Sequence, residues 1–227
     1  MRDFLLANGE LLVWVCAAVE LLCVWLSLRG RRCMLGSLCA AISAGLVIDA
    51  AIIGLGVVLG EGTLLAGMSQ VRYILHGILV PLMVPIAFYA YGMRRRLAIR
   101  ILWVVTLLLM AGGVAMGVMS RIEPARLAGV LRYAQSAETP AFAKMFDRLL
   151  SIGGVIPLLV VGIAHLIRHR TPWLLLSGVF MFGAAALAPA THNMDLTFLI
   201  TMFGEALMVL CFVPEVRRAQ LNWSAAA

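Results

Sequence analysis

Five ionisable residues interrupt otherwise apolar runs of this sequence: Glu10, Glu20, Asp49, His76 and Glu205. A charge at the centre of a bilayer costs about 2.5 kcal/mol or more, so such residues characteristically face a bundle interior and mark a site. Spacing sharpens the pattern. Asn193, Thr197, Thr201 and Glu205 recur at every fourth position. Residues four apart share a helix face, so these make a polar stripe that ends on a carboxylate roughly 15 Å inward at 1.5 Å per residue. Asp49 is expected at a similar depth, and Arg72 and His76 are again four apart. His192 and Asp195 stand at the mouth of the stripe, with Glu10 and Glu61 near the same surface.

Paired carboxylates in a low-dielectric interior call for a proton, a metal ion or an arginine between them. Three function classes follow. One is a metal-dependent hydrolase acting on a lipid or other hydrophobic substrate. Asp49, His76 and Glu205 would be its catalytic set. His76, His192 and Asp195 would hold a divalent metal such as zinc, which activates water at an open position. The second is a proton- or cation-coupled transporter or ligand-binding receptor, with Asn193, Thr197, Thr201 and Arg72 lining the path of a hydrophobic or ionic small ligand. The third is a non-catalytic scaffold or assembly subunit whose polar residues only fix helix packing. A single haem held by His76 and His192 is the lesser cofactor option.

The elements that position these residues are membrane helices. Hydrophobic residues make up 63% of the 227 residues and charged ones 13%, with mean hydropathy +1.02. A soluble domain is about 45–50% apolar and about 25% charged. A span needs about 20 residues, which predicts an all-α bundle of seven helices, over roughly 5–28, 34–59, 70–93, 97–119, 148–167, 172–190 and 194–214. The whole chain reads as one transmembrane domain. Arginines cluster after the first, third, fifth and seventh spans: Arg29, Arg31 and Arg32; Arg94, Arg95 and Arg96; Arg168 and Arg170; Arg217 and Arg218. Basic loops stay in the cytoplasm, which places the chain in the plasma (inner) membrane with its N-terminus outside and its C-terminus inside. The loop over residues 120–147 is then external. Pro124 and Pro140 bracket Ala125 to Glu138, which reads as an amphipathic helix on the membrane or a lid. Seven spans with an external N-terminus resemble in topology the seven-helix intramembrane hydrolase superfamily that includes alkaline ceramidases. The clustered histidines of that family's last span are absent here.

Gly113 and Gly117, and the small-residue rows Gly36, Ala40, Ala44 and Ser37, Ala41, Gly45, predict close helix packing or a homodimer. Pro81, Pro85 and Pro157 predict bends. His165 and His169 lie among arginines and read as interfacial. The net charge of +7 comes from the arginine-rich rim, where it meets anionic membrane lipids, and is not a nucleic-acid surface. The single lysine, Lys144, falls in a loop, which excludes a retinal Schiff base in the last span. No GxSxG, Walker-type or GxGxxG element is present.

Overall fold

A computed structural model describes residues 8–30 and 33–224. It is an all-α bundle, and six of its helices are long and apolar enough to cross a membrane. α1 is Gly9–Leu28, α2 Met34–Leu59 and α3 Thr63–Leu79. A single 3-10 turn, Val80–Leu82, joins α3 to α4, Met83–Tyr91. Then come α5 Arg96–Met119, α6 Ala141–His169, α7 Trp173–Ala190 and α8 Met194–Ser224. Together α3 and α4 make one apolar crossing, Thr63–Tyr91. Pro81 lies in the 3-10 turn, where its missing N–H breaks the α ladder. α7 contributes the shortest apolar segment, Trp173–Leu187.

Large apolar side chains cover the outside. On α5, Leu97, Ile101, Val104 and Leu108 are all exposed. In water this surface would aggregate; in lipid it is the expected exterior. Two of the buried clusters divide the interior by height. One packs Leu38, Ile42, Ile86, Leu158 and Phe212 toward the arginine-rich end. The other packs Val13, Ile53, Val130, Phe198 and Met202 at the opposite end.

The connection between α5 and α6 departs from the expected helix. β1 (Ile122–Leu127) and β2 (Val130–Gln135) form an antiparallel hairpin, with Leu127 paired to Val130 and Ile122 to Gln135. Its two-residue loop is Ala128-Gly129, both at positive φ, +47° and +78°. That is the geometry of a tight turn whose twist matches its strands. Leu127, Val130, Leu131 and Ala134 fit a helical face, but alternation in β2 decides between the two. Leu131 packs with Ile52 and Leu65, while Arg132 and Ala134 look into a cavity.

The span limits also shift. α6 begins at Ala141 rather than near residue 148, and α8 runs ten residues beyond 214. Both changes bring ionisable residues inside the bundle. Small residues permit close contact, as the GxxxG spacing implies. A Cβ at Gly77 would meet the backbone of Gly113, and one at Gly117 the backbone of Ile74, so α3 and α5 touch main chain to main chain. The side chain of Gln70 crosses this contact to donate to the Gly117 carbonyl. All five cysteines are free thiols.

Candidate functional site

Hairpin and helices enclose a cavity of about 330 Å³. α2 contributes Asp49 to its lining, and α3 contributes Arg72, Tyr73 and His76. β2 adds Arg132; α6 adds Asp147 and Ser151; α8 adds Thr197, Thr201 and Glu205. Helical spacing accounts for most of this convergence. Arg72 and His76, Asp147 and Ser151, and Thr197, Thr201 and Glu205 are each four apart, so each set shares one face.

Arg72 is the centre of the arrangement, and it is 4% exposed. Its Nε lies 3.3 Å from Asp49 Oδ1. Its Nη2 donates to the Tyr133 carbonyl at 3.1 Å. One side chain thereby ties α3 to α2 and to the hairpin. The third nitrogen, Nη1, is buried and has no hydrogen-bond partner among the described residues.

Arg132 approaches from the roof. Its guanidinium stands 5.0 Å from the Phe198 ring centroid, and its buried Nε has no hydrogen-bond partner among the described residues. Burial and the neighbouring Arg72 push its pKa down to about 10, against the opposing pull of Tyr73 and Asp49. At neutral pH it therefore keeps its charge.

Glu205 is 8% exposed and shares its electrostatic surroundings with Asp49, Glu20, Arg132 and Arg72. Glu20, on α1, is fully buried, and neither carboxylate oxygen has a partner among the described residues. Asp147 has His76 and Arg148 as its charged neighbours.

A smaller space of about 40 Å³ adjoins the main cavity. Asp49, Arg72, His76, Ser151 and Glu205 line both. Beyond them the smaller space is walled by Ile42, Leu46, Leu75, Val155, Met181 and Met208. A ring of polar groups thus separates a polar chamber from an apolar recess.

The residues singled out by sequence divide into two groups. Asp49, Arg72, His76, Thr197, Thr201 and Glu205 come together in the lining. Asn193, His192 and Asp195 do not. Asn193 caps α8, its Oδ1 accepting from the backbone N–H groups of Asp195 and Leu196 at 2.9 and 3.1 Å. The polar stripe therefore starts at Thr197. Asp195 Oδ1 accepts from the Ala128 N–H at 2.7 Å and so anchors the hairpin turn. His192 is exposed in the α7–α8 connection at φ +48°. The expected ligand set of His76, His192 and Asp195 is therefore not assembled. Among the described residues, no three His, Cys, Asp or Glu side chains are grouped to hold a metal ion.

Four polar lining residues, Tyr73, Arg132, Asp147 and Ser151, fall outside the sequence reading. Arg132 was assigned to a helix it does not form. Asp147 was placed in a loop, although Phe142 and Phe146 before it already continue the apolar pattern of α6. Ser151 is unremarkable until Asp147 is seen one turn before it.

At the opposite end a second polar network is buried. Glu215 accepts from Thr171 Oγ1 at 2.9 Å and Arg218 Nε at 3.1 Å, and pairs with His165 Nε2 at 3.0 Å. Arg218 Nη2 also donates to the Ala90 carbonyl at 3.0 Å. His165 is fully buried rather than interfacial. This network closes the arginine-rich end by joining α4, α6 and α8.

No protein-family model matches the chain, and no curated protein matches it either.

Proposed function

We propose that this membrane bundle is a ligand-binding protein, a receptor or carrier, that takes a small molecule with a polar end into the cavity beneath the hairpin. One observation carries the reading: ionisable side chains from four helices and the hairpin line a single space of about 330 Å³. Small-molecule pockets run from about 300 to 1,000 Å³ and place a few polar groups against apolar walls. A scaffold would use such groups as pairs packed between helices and has no need of an open chamber. Metal-dependent hydrolysis requires a ligand set, and two of its three expected members, His192 and Asp195, lie outside the cavity lining. Binding, with or without proton coupling through Glu205 and Asp49, needs only what the lining already supplies.

On the same reading the arginine-rich end is cytoplasmic, the membrane is the inner membrane, and the hairpin covers an external entrance. The test is native mass spectrometry of protein released from lipid nanodiscs, comparing the parent with Thr201→Trp. Tryptophan at this half-buried lining position fills the chamber. A small molecule should be retained by the parent and lost from a Thr201→Trp variant of unchanged thermal stability. The same added mass on both proteins, or none on either, would count against ligand binding in this cavity.

A further inference from the structure

Two guanidiniums face the same chamber and are electrostatic neighbours of each other. Arg72 reaches it from the wall and Arg132 from the roof. Like charges held close in a half-dry space repel, and neither can relieve the repulsion by losing its proton. Their other contacts are unequal. Asp49 satisfies Arg72 Nε and the Tyr133 carbonyl satisfies Nη2, but Arg72 Nη1 and Arg132 Nε are buried donors without acceptors among the described residues. Buried donors of this kind cost free energy unless something accepts from them. The remaining acidic groups of the lining are Asp147 and Glu205, with His76 between α3 and α6. A carboxyl, unlike a guanidinium, can shed its charge by taking a proton.

We propose that the ligand's polar end is an anion of the carboxylate or phosphate class, held between the Arg72 and Arg132 guanidiniums, on a molecule whose apolar part enters the recess beside Met181 and Met208. The proposal rests on the ligand-binding reading above and specifies its chemistry. Oxyanions match the planar fork of arginine better than any other small acceptor. The polar ring between chamber and recess sets the order of the ligand's parts: head toward the hairpin, body toward the interior.

Four matched probes separate this inference from the broader reading: hexyl phosphate, hexanoate, hexanol and hexylamine. Binding is measured by calorimetry in non-ionic detergent at neutral pH, subtracting the heat given by Thr201→Trp to remove partition into micelles. Hexyl phosphate and hexanoate should bind more tightly than hexanol, and hexylamine least. Arg132→Gln should weaken hexyl phosphate by about tenfold or more, the worth of a hydrogen bond to a charged group, with hexanol unchanged. Arg132 is the preferred variant because, unlike Arg72, it holds no ion pair among the described residues, its guanidinium lying over Phe198 and near Tyr73; Arg132→Lys should restore part of the loss. Inorganic phosphate and acetate form the last arm. Weaker binding by these ions supports an anion on an apolar body; equal binding keeps the anion and removes the body. Equal binding of all four hexyl probes, or preference for hexylamine, would overturn the anion while leaving a binding cavity. Binding by none would remove both readings.

Discussion

Arg72 shows how much one side chain can carry in a membrane bundle. Its Nε meets Asp49, its Nη2 meets the hairpin backbone, and the residue lines the chamber. Removing one member of a buried ion pair strands the other, which costs about 3–5 kcal/mol in well-buried cases. Asp49 touches the cavity, so Arg72→Leu is expected near the lower end of that range. Asp49→Leu combined with Arg72→Leu should be less destabilising than the sum of the two single changes, because no charge is then left without its partner. Unfolding in detergent of the parent, both singles and the double gives the coupling directly. Additive losses would mean that the pair contributes nothing as a pair and that Arg72 acts only through Tyr133.

At the scale of elements, the hairpin and the α3–α5 contact are the two features that shape the chamber. The hairpin is held at its turn by Asp195 and at its second strand by Arg72. Asp195→Ala removes a charge-assisted acceptor worth about 1.5–3 kcal/mol. This loss should appear as faster tryptic cleavage at the exposed Arg126, with cleavage elsewhere unchanged. Cleavage at the parent's rate would show that Asp195 does not restrain the turn. The α3–α5 contact depends on the absence of side chains. Gly77→Leu forces the two backbones apart, and overpacking of this kind costs about 1–3 kcal/mol. Because Arg72 and His76 lie on the same helix, ligand binding should weaken along with thermal stability. A Gly77→Leu protein as stable as the parent would contradict main-chain contact between these helices.

The whole molecule has two unlike ends. One carries the hairpin and the chamber; the other carries the arginines and is closed by the Glu215 network. Charge asymmetry predicts which side each faces. Reporter fusions after Arg95 and Arg170 should report cytoplasm, and one after Thr139 should report the exterior. A cytoplasmic signal after Thr139 would invert the bundle and turn the chamber inward. A closed end opposite a chamber is also what a carrier needs in one of its two states. If the chain is a carrier, the Glu215 network has to open during its cycle.

Composition and periodicity determined a helical membrane bundle, its approximate crossings and the interior position of Glu20, Asp49, His76 and Glu205, but not that of Glu10, which is exposed. These follow from the bilayer, which penalises any other placement of long apolar runs and lone carboxylates. Asp49, Arg72, His76 and Glu205, which line one cavity, were legible as interior residues for the same reason. The tertiary structure decided everything that depends on partners distant in sequence. Asn193 and Asp195 are polar residues at a helix start, and only packing shows that one caps α8 while the other holds a hairpin some 67 residues earlier. Residues 122–135 fit two periods at once, and the choice of strand rests on Ala128-Gly129 turning and on Leu131 finding Ile52 and Leu65. Arg132 and Asp147 joined the chamber because the hairpin folded back and α6 began early. Glu215 became a buried hub because α8 continued past Pro214. Local pattern determines which face of an element is polar; which faces meet is set by the packing of the whole bundle.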